Sequence, residues 1–166
     1  METSAKSHGF VTKGIHWLSA GMIGYGYFKG LENVSQLADP SLFATEVTFA
    51  LILGGLFLLR LIWTQKVGGA TRLSSEAPRW EHFASRAVHY GLYASVFGIV
   101  LSGLAIAFVY ATPALGGIIL AAVIALHEFT LAVMPLLLLA HIAGALWHKF
   151  IRRDGVLESM TGQLPF

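Results

Sequence analysis

The sequence predicts an all-α membrane protein. It reads as a polytopic four-helix bundle in one domain spanning 1–166, with helices over about 12–30, 42–64, 82–110 and 117–151 and both termini cytoplasmic. Three observations carry this expectation. Hydrophobic residues make up 55% of the chain and charged residues only 12%, too few to coat a water-soluble surface. Mean hydropathy is +0.68. Between Arg86 and Glu128 lie 41 uncharged residues, too many for one span and about right for two with a turn. Cysteine is absent, which excludes disulfides, thiolate chemistry, Cys-ligated zinc or iron–sulfur centres and Cys-attached haem. A net charge of +2 is too mild to argue for nucleic acid.

The first span is the shortest. Only 15 residues separate Lys13 from Lys29, so the lysines must snorkel to the interfaces. His16, Trp17, Tyr25 and Tyr27 interrupt its apolar run, which is unlike a cleavable signal peptide. The second runs from Leu42 to Trp63, with Glu46 near its start and Arg60 near its end. The 111–117 stretch, with Pro113, Gly116 and Gly117, divides the long uncharged segment into the third and fourth spans. Pro135 is a candidate kink in the fourth. Ten of the eleven Lys and Arg residues fall on one side: Lys6 and Lys13, then Arg60, Lys66, Arg72, Arg79 and Arg86, then Lys149, Arg152 and Arg153. The other side holds Lys29, beside Glu32 and Asp39. The positive-inside rule therefore places the termini and the second loop in the cytoplasm.

A histidine inside a membrane helix is costly unless it faces the bundle and has a partner. His16, His89, His127 and His141 all lie at depth, and His148 at the interface, where it could simply anchor. His8 and His82 read as solvated. His127 and His141 are fourteen residues apart, so they share a helix face about 21 Å apart along the axis, and His148 continues the stripe about 10 Å further. Imidazoles stacked at two depths suit two metal centres, and iron in a porphyrin is the natural candidate. Zinc would want three or four ligands on one point. The other reading is a set of hydrogen-bonded structural or proton-relay histidines. Glycines (14, 21, 24, 26, 54, 55, 98, 103, 144) could open a slot for a flat ring, or only let helices pack closely. Arg60, Arg79 and Arg86 lie where porphyrin carboxylates would emerge, though ordinary topology also puts arginines there.

These residues resemble the bacterial cytochrome b561 family of small four-helix b-type cytochromes, which includes superoxide oxidase. They also resemble the related cytochrome b subunits of formate dehydrogenase and hydrogenase. The carriers are Ile15-His16-Trp17-Leu18, Arg60-Leu61, His89…Gly103-Leu104, His127-Glu128…His141…His148-Lys149-Phe150 and Asp154-Gly155-Val156-Leu157…Met160. The resemblance covers nearly the whole chain. It implies a multi-pass protein of the bacterial inner membrane that carries electrons on heme b and exchanges them with quinone. A superoxide:ubiquinone oxidoreductase is one form of this, with ubiquinone as acceptor. Carried over, His16 and His141 are the axial pair of the inner haem iron and His127 a ligand of an outer one. Arg60, Arg79 and Arg86 are propionate partners, and His89 and His148 line a quinone or substrate pocket; His89 is also a spare ligand. The chain departs from the pattern in helix 2, which has no histidine; Glu46 stands about where one should be. One haem is therefore the expectation, with a second left open if Glu46, Met22 or no residue completes the outer site. Lipid and quinone are the expected partners. The alternative to a free-standing cytochrome is a haem-bearing or structural subunit of a larger respiratory complex, and a homodimer through the glycines of the first span is open.

Overall fold

Each apolar stretch is helical. The computed structural model describes residues 7–30, 33–67, 73 and 77–162. It contains α1 (Phe10–Lys29), α2 (Pro40–Lys66), α3 (Arg79–Tyr110), α4 (Ile118–Trp147) and a short α5 (Val156–Thr161). Among the described residues there is no strand. The helix limits fall within a few residues of those expected. Lys6, Glu32 and Arg72, used above for orientation, lie outside the described residues.

Three helices are long and apolar enough to cross a membrane: α2, α3 and the continuous run Ile118–Arg152. α1 joins them as a fourth member, its 20 residues spanning about 30 Å. The starts and stops follow local chemistry. Asp39 caps α2 by accepting from the backbone N–H groups of Ser41 (2.8 Å) and Leu42 (3.4 Å), and Pro40 occupies the first turn, where no N–H is needed. Just before it, Asn33 and Gln36 form a capping box on the 3₁₀ turn Val34–Ala38.

α1 packs on α2, α2 on α3, and α3 most extensively on α4. α1 begins, α2 ends, α3 begins and α4 ends together; Lys13, Lys66, Arg79 and Lys149 make this the basic end. Some glycines sit where helices come close. A Cβ on Gly98 would sit 2.8 Å from Thr130 Cγ2, and one on Gly54 3.0 Å from Val100 Cγ1. By contrast, Gly14, Gly21, Gly24, Gly55 and Gly144 have nothing within 4 Å of a Cβ. The glycines thus divide: some exist for packing, others border open space.

α1 and α4 approach less closely and meet through side chains. Tyr27 Oη donates to the Leu131 carbonyl at 2.7 Å. Pro135 explains why that carbonyl is available. A proline has no N–H to return to the carbonyl four residues earlier, which here is Leu131. α4 continues as helix through Pro135, and α1 supplies the missing donor.

The core is an apolar plug at mid-depth: Leu53, Phe57, Val96, Val100 and Met134. At the basic end α4 continues into a π-helical turn, His148–Arg152, and the chain then reverses through Arg153 (φ 52°) and Gly155 (φ 76°), both left-handed. The reversal folds α5 back under the bundle. It is held by His148 Nδ1 to Asp154 Oδ2 (2.6 Å), by Lys149 to Glu158, by Arg152 Nε to the buried Glu81 (3.5 Å) and by the His8 N–H to the Ser159 carbonyl (2.9 Å). Two expectations change here. His8, read as solvated, is buried, because α5 covers it. His148, expected to anchor at the interface, is also buried, with its Nδ1 hydrogen-bonded to Asp154.

Candidate functional site

α4 presents His127, Met134, His141 and His148 at intervals of seven, each step returning 20° short of two turns. Met134, in the middle, is only 1% exposed, so this stripe faces the bundle interior. α2 carries a matching stripe of Glu46, Leu53 and Arg60, with Leu53 in the core. The apolar plug therefore separates two polar layers.

The layer nearer the basic end gathers His16, Arg60, His89 and His141. The rings of His16 and His141 have centroids 6.2 Å apart at 41°, and those of His89 and His141 are 5.0 Å apart, edge to face. A metal sits about 2.0 Å from an imidazole nitrogen and the ring centre about 1.1 Å beyond, so two rings facing one metal from opposite sides have centres about 6 Å apart. His16 and His141 fit that spacing; His89 is too close to His141. His89 Nδ1 donates to the Ser85 carbonyl (2.6 Å), which leaves its Nε2 as an acceptor. Arg60 Nη2 donates to His16 Nδ1 at 2.7 Å, and its guanidinium lies over the rings of Phe57 (5.7 Å) and Tyr93 (6.0 Å). A small cavity of about 50 Å³ adjoins this layer, lined by His8, His16, Arg60, His89 and Tyr93 among others. It has room for about one water.

The far layer surrounds a cavity of about 560 Å³ walled by all four long helices. His127 and Glu128 of α4, Glu46 of α2 and Met22 and Tyr27 of α1 line it, with Leu53, Val96 and Met134 as its apolar floor. His127 Nδ1 lies 2.8 Å from Ser102 Oγ. Ser102 gives its own proton to the Gly98 carbonyl (2.5 Å), so His127 is the donor and its Nε2 keeps a lone pair. The ring lies against α3 at Gly103, where a Cβ would be in ordinary contact with His127 Cε1 at 3.4 Å.

The structure brings together His16, Arg60, His89 and His141, and separately His127 and Glu46. Arg79 and Arg86 are exposed, and neither they nor His148 line either cavity. Among the described residues no three His, Asp or Glu side chains converge on a metal-sized point. Ser102 and Tyr27 were missed in the sequence. Pro135 was the signal for Tyr27, because an interior proline frees a carbonyl that needs a donor from elsewhere.

The model of the prokaryotic cytochrome b561 family matches residues 7–163. Neither the curated proteins nor the solved structures compared give a match.

Proposed function

This chain belongs to the prokaryotic cytochrome b561 family, and from that premise we propose that His16 and His141 hold its b haem and that it exchanges the electrons with a quinone. Membership of the family makes this a membrane b-type haem electron-transfer protein. The single observation supporting the ligand pair is the 6.2 Å separation of the two rings.

Bound haem supplies a one-electron couple. The protein's part is to grip, orient and neutralise. A guanidinium has only protons to give, so His16 Nδ1 accepts from Arg60 in the observed arrangement. Ligation through Nε2 needs the proton on Nδ1. Arg60 must then find another acceptor, and a propionate carboxylate from the porphyrin is the fitting one. His89, whose Nδ1 is held by the Ser85 carbonyl and whose Nε2 keeps a lone pair, is suited to take a proton from a quinol hydroxyl docked against this layer. Quinone exchange thus rests on His89 rather than on His148, whose Nδ1 is engaged by Asp154. The basic end is the cytoplasmic one. Helices long and apolar enough to cross a membrane support a multi-pass protein, and its family supports the inner membrane. Superoxide oxidation is one form of this activity, and a haem-bearing subunit of a larger respiratory complex is the alternative.

The test is the purified full chain in detergent. We expect a reduced-minus-oxidised b-type spectrum, reduction of the oxidised protein by a superoxide-generating system and re-oxidation by ubiquinone. His89→Ala should slow the quinone step while leaving the spectrum intact. A folded, colourless protein, or a haem that quinone leaves reduced, overturns the proposal.

A further inference from the structure

We propose that α5 is a hinged lid at the basic end, controlling the access of water to the layer that holds His16, Arg60, His89 and His141. The purpose given to this motion rests on the reading of that layer as the place of electron exchange with quinone; the motion itself does not.

The small cavity shows what lies beneath the lid. Two of its walls come from near the chain ends, His8 ahead of α1 and Met160 of α5, and they share it with His16, Arg60 and His89. With α5 folded in, the cavity measures about 50 Å³, enough for about one water. The closure joins the two ends of the chain. The His8 N–H donates to the Ser159 carbonyl at 2.9 Å, and both residues are buried. A quinone reduced at this layer takes two electrons, passed one at a time from the haem, and two protons from water, and leaves as the quinol. Room for one water is a narrow supply. Swinging α5 outward takes Met160 from the wall, uncovers His8 and joins the cavity to bulk water.

Three features make α5 a moving part rather than a fixed floor. It is held by polar bonds and not by an apolar seam. The residue of α5 that is buried is Ser159, and the clasp pairs His148 with Asp154, Lys149 with Glu158 and Arg152 with Glu81. A short helix held this way belongs to the low-stability end of a fold, where local opening occurs. The closed clasp is also incompletely satisfied. Glu81 Oε2 and Glu158 Oε2 are buried with no hydrogen-bond partner among the described residues, and both gain water when the lid opens. The hinge is in place as well. Arg153 (φ 52°), which carries a side chain, and Gly155 (φ 76°) are both left-handed, so the reversal is concentrated at 153–155, between the π-helical turn and α5.

The test uses the purified full chain, which has no cysteine of its own. Thr64→Cys places a thiol on the cavity wall, and a charged, water-soluble methanethiosulfonate, too large for the closed cavity, reports its opening. Asp154→Ala with Glu158→Gln should speed labelling there about 10- to 100-fold by releasing the clasp. Ala50→Cys, on the same helix but in the far cavity, should label at an unchanged rate. A second variant, His8→Cys with Ser159→Cys, replaces two residues already joined backbone to backbone, close enough for a disulfide. Oxidising that pair should lock the lid and slow re-oxidation of the reduced haem by ubiquinone about tenfold, and reducing the disulfide should restore the rate. An unchanged labelling rate at Thr64→Cys overturns the lid. An equal rise at Ala50→Cys also overturns it, because the whole bundle has then loosened. Equal quinone rates in the locked and unlocked forms overturn its control of the exchange. A haem that ubiquinone leaves reduced in both forms overturns the reading of the layer instead, and the labelling rates still decide the lid.

Discussion

Removing the Tyr27 hydroxyl should destabilise the bundle only while Pro135 is present. Tyr27 Oη donates to Leu131 O at 2.7 Å, and Leu131 O is the carbonyl whose helical partner Pro135 cannot supply. In hydrocarbon an unpaired carbonyl has no water to turn to. Tyr27→Phe should therefore cost about 1–3 kcal/mol, the usual penalty for an orphaned polar group. In a Pro135→Ala background, the new amide at position 135 bonds Leu131 O along the helix, and Tyr27→Phe should cost close to nothing. The coupling energy of the cycle is then about 1–3 kcal/mol. Thermal unfolding in detergent, followed by circular dichroism, reads it as a loss of roughly 2–12 °C in Tm for Tyr27→Phe alone, at about 2–4 °C per kcal/mol for a chain of this size. Equal losses in both backgrounds would refute the reasoning, because the hydroxyl would then serve something other than the carbonyl freed by the proline.

Gly98→Ala should overpack α3 against α4, since its Cβ would lie 2.8 Å from Thr130 Cγ2. A loss of about 1–3 kcal/mol is expected, restored largely by adding Thr130→Ser, which removes the clashing methyl. Gly144→Ala, with nothing within 4 Å, should be neutral or mildly stabilising; if it costs as much as Gly98→Ala, the packing argument fails. Ser102→Ala should cost about 1–3 kcal/mol in thermal unfolding, because the His127 Nδ1–H loses its acceptor; an unchanged Tm would contradict this. The α5 clasp should be acid-labile. The hydrogen bond from Lys149 holds the Glu158 carboxyl below its ordinary value of 4.5. The unfolded tail thus binds the proton more readily, so the clasp is at full strength above that value and weakens as the pH falls through the lowered one. Hydrogen exchange of the α5 amides, corrected for intrinsic rate, should show this weakening in the wild type and not in Glu158→Gln; identical acid profiles in the two would contradict it.

The spans were legible because hydrocarbon imposes a simple demand: long uncharged runs bounded by basic residues. The stripe on α4 was legible because helical period is a property of sequence alone, and Met134 sits between His127 and His141 where that period puts it. What was not legible depends on partners distant in sequence. Which glycines pack and which border space is decided by the neighbouring helix: Thr130 stands against Gly98, and nothing stands against Gly144. The burial of His8 and His148 depends on a chain reversal at Arg153 and Gly155. The absence of a histidine from helix 2 was visible, and so was Glu46 in its place. The cavity facing Glu46 was not, because its volume is the joint product of side chains from four helices.

Electron paramagnetic resonance of the oxidised, purified chain tests the shared-iron claim most directly. The wild type should show a low-spin signal from an iron held by two imidazoles. It should vanish in both His16→Ala and His141→Ala and persist in His89→Ala. Persistence of that signal without His16 or without His141 would contradict the account.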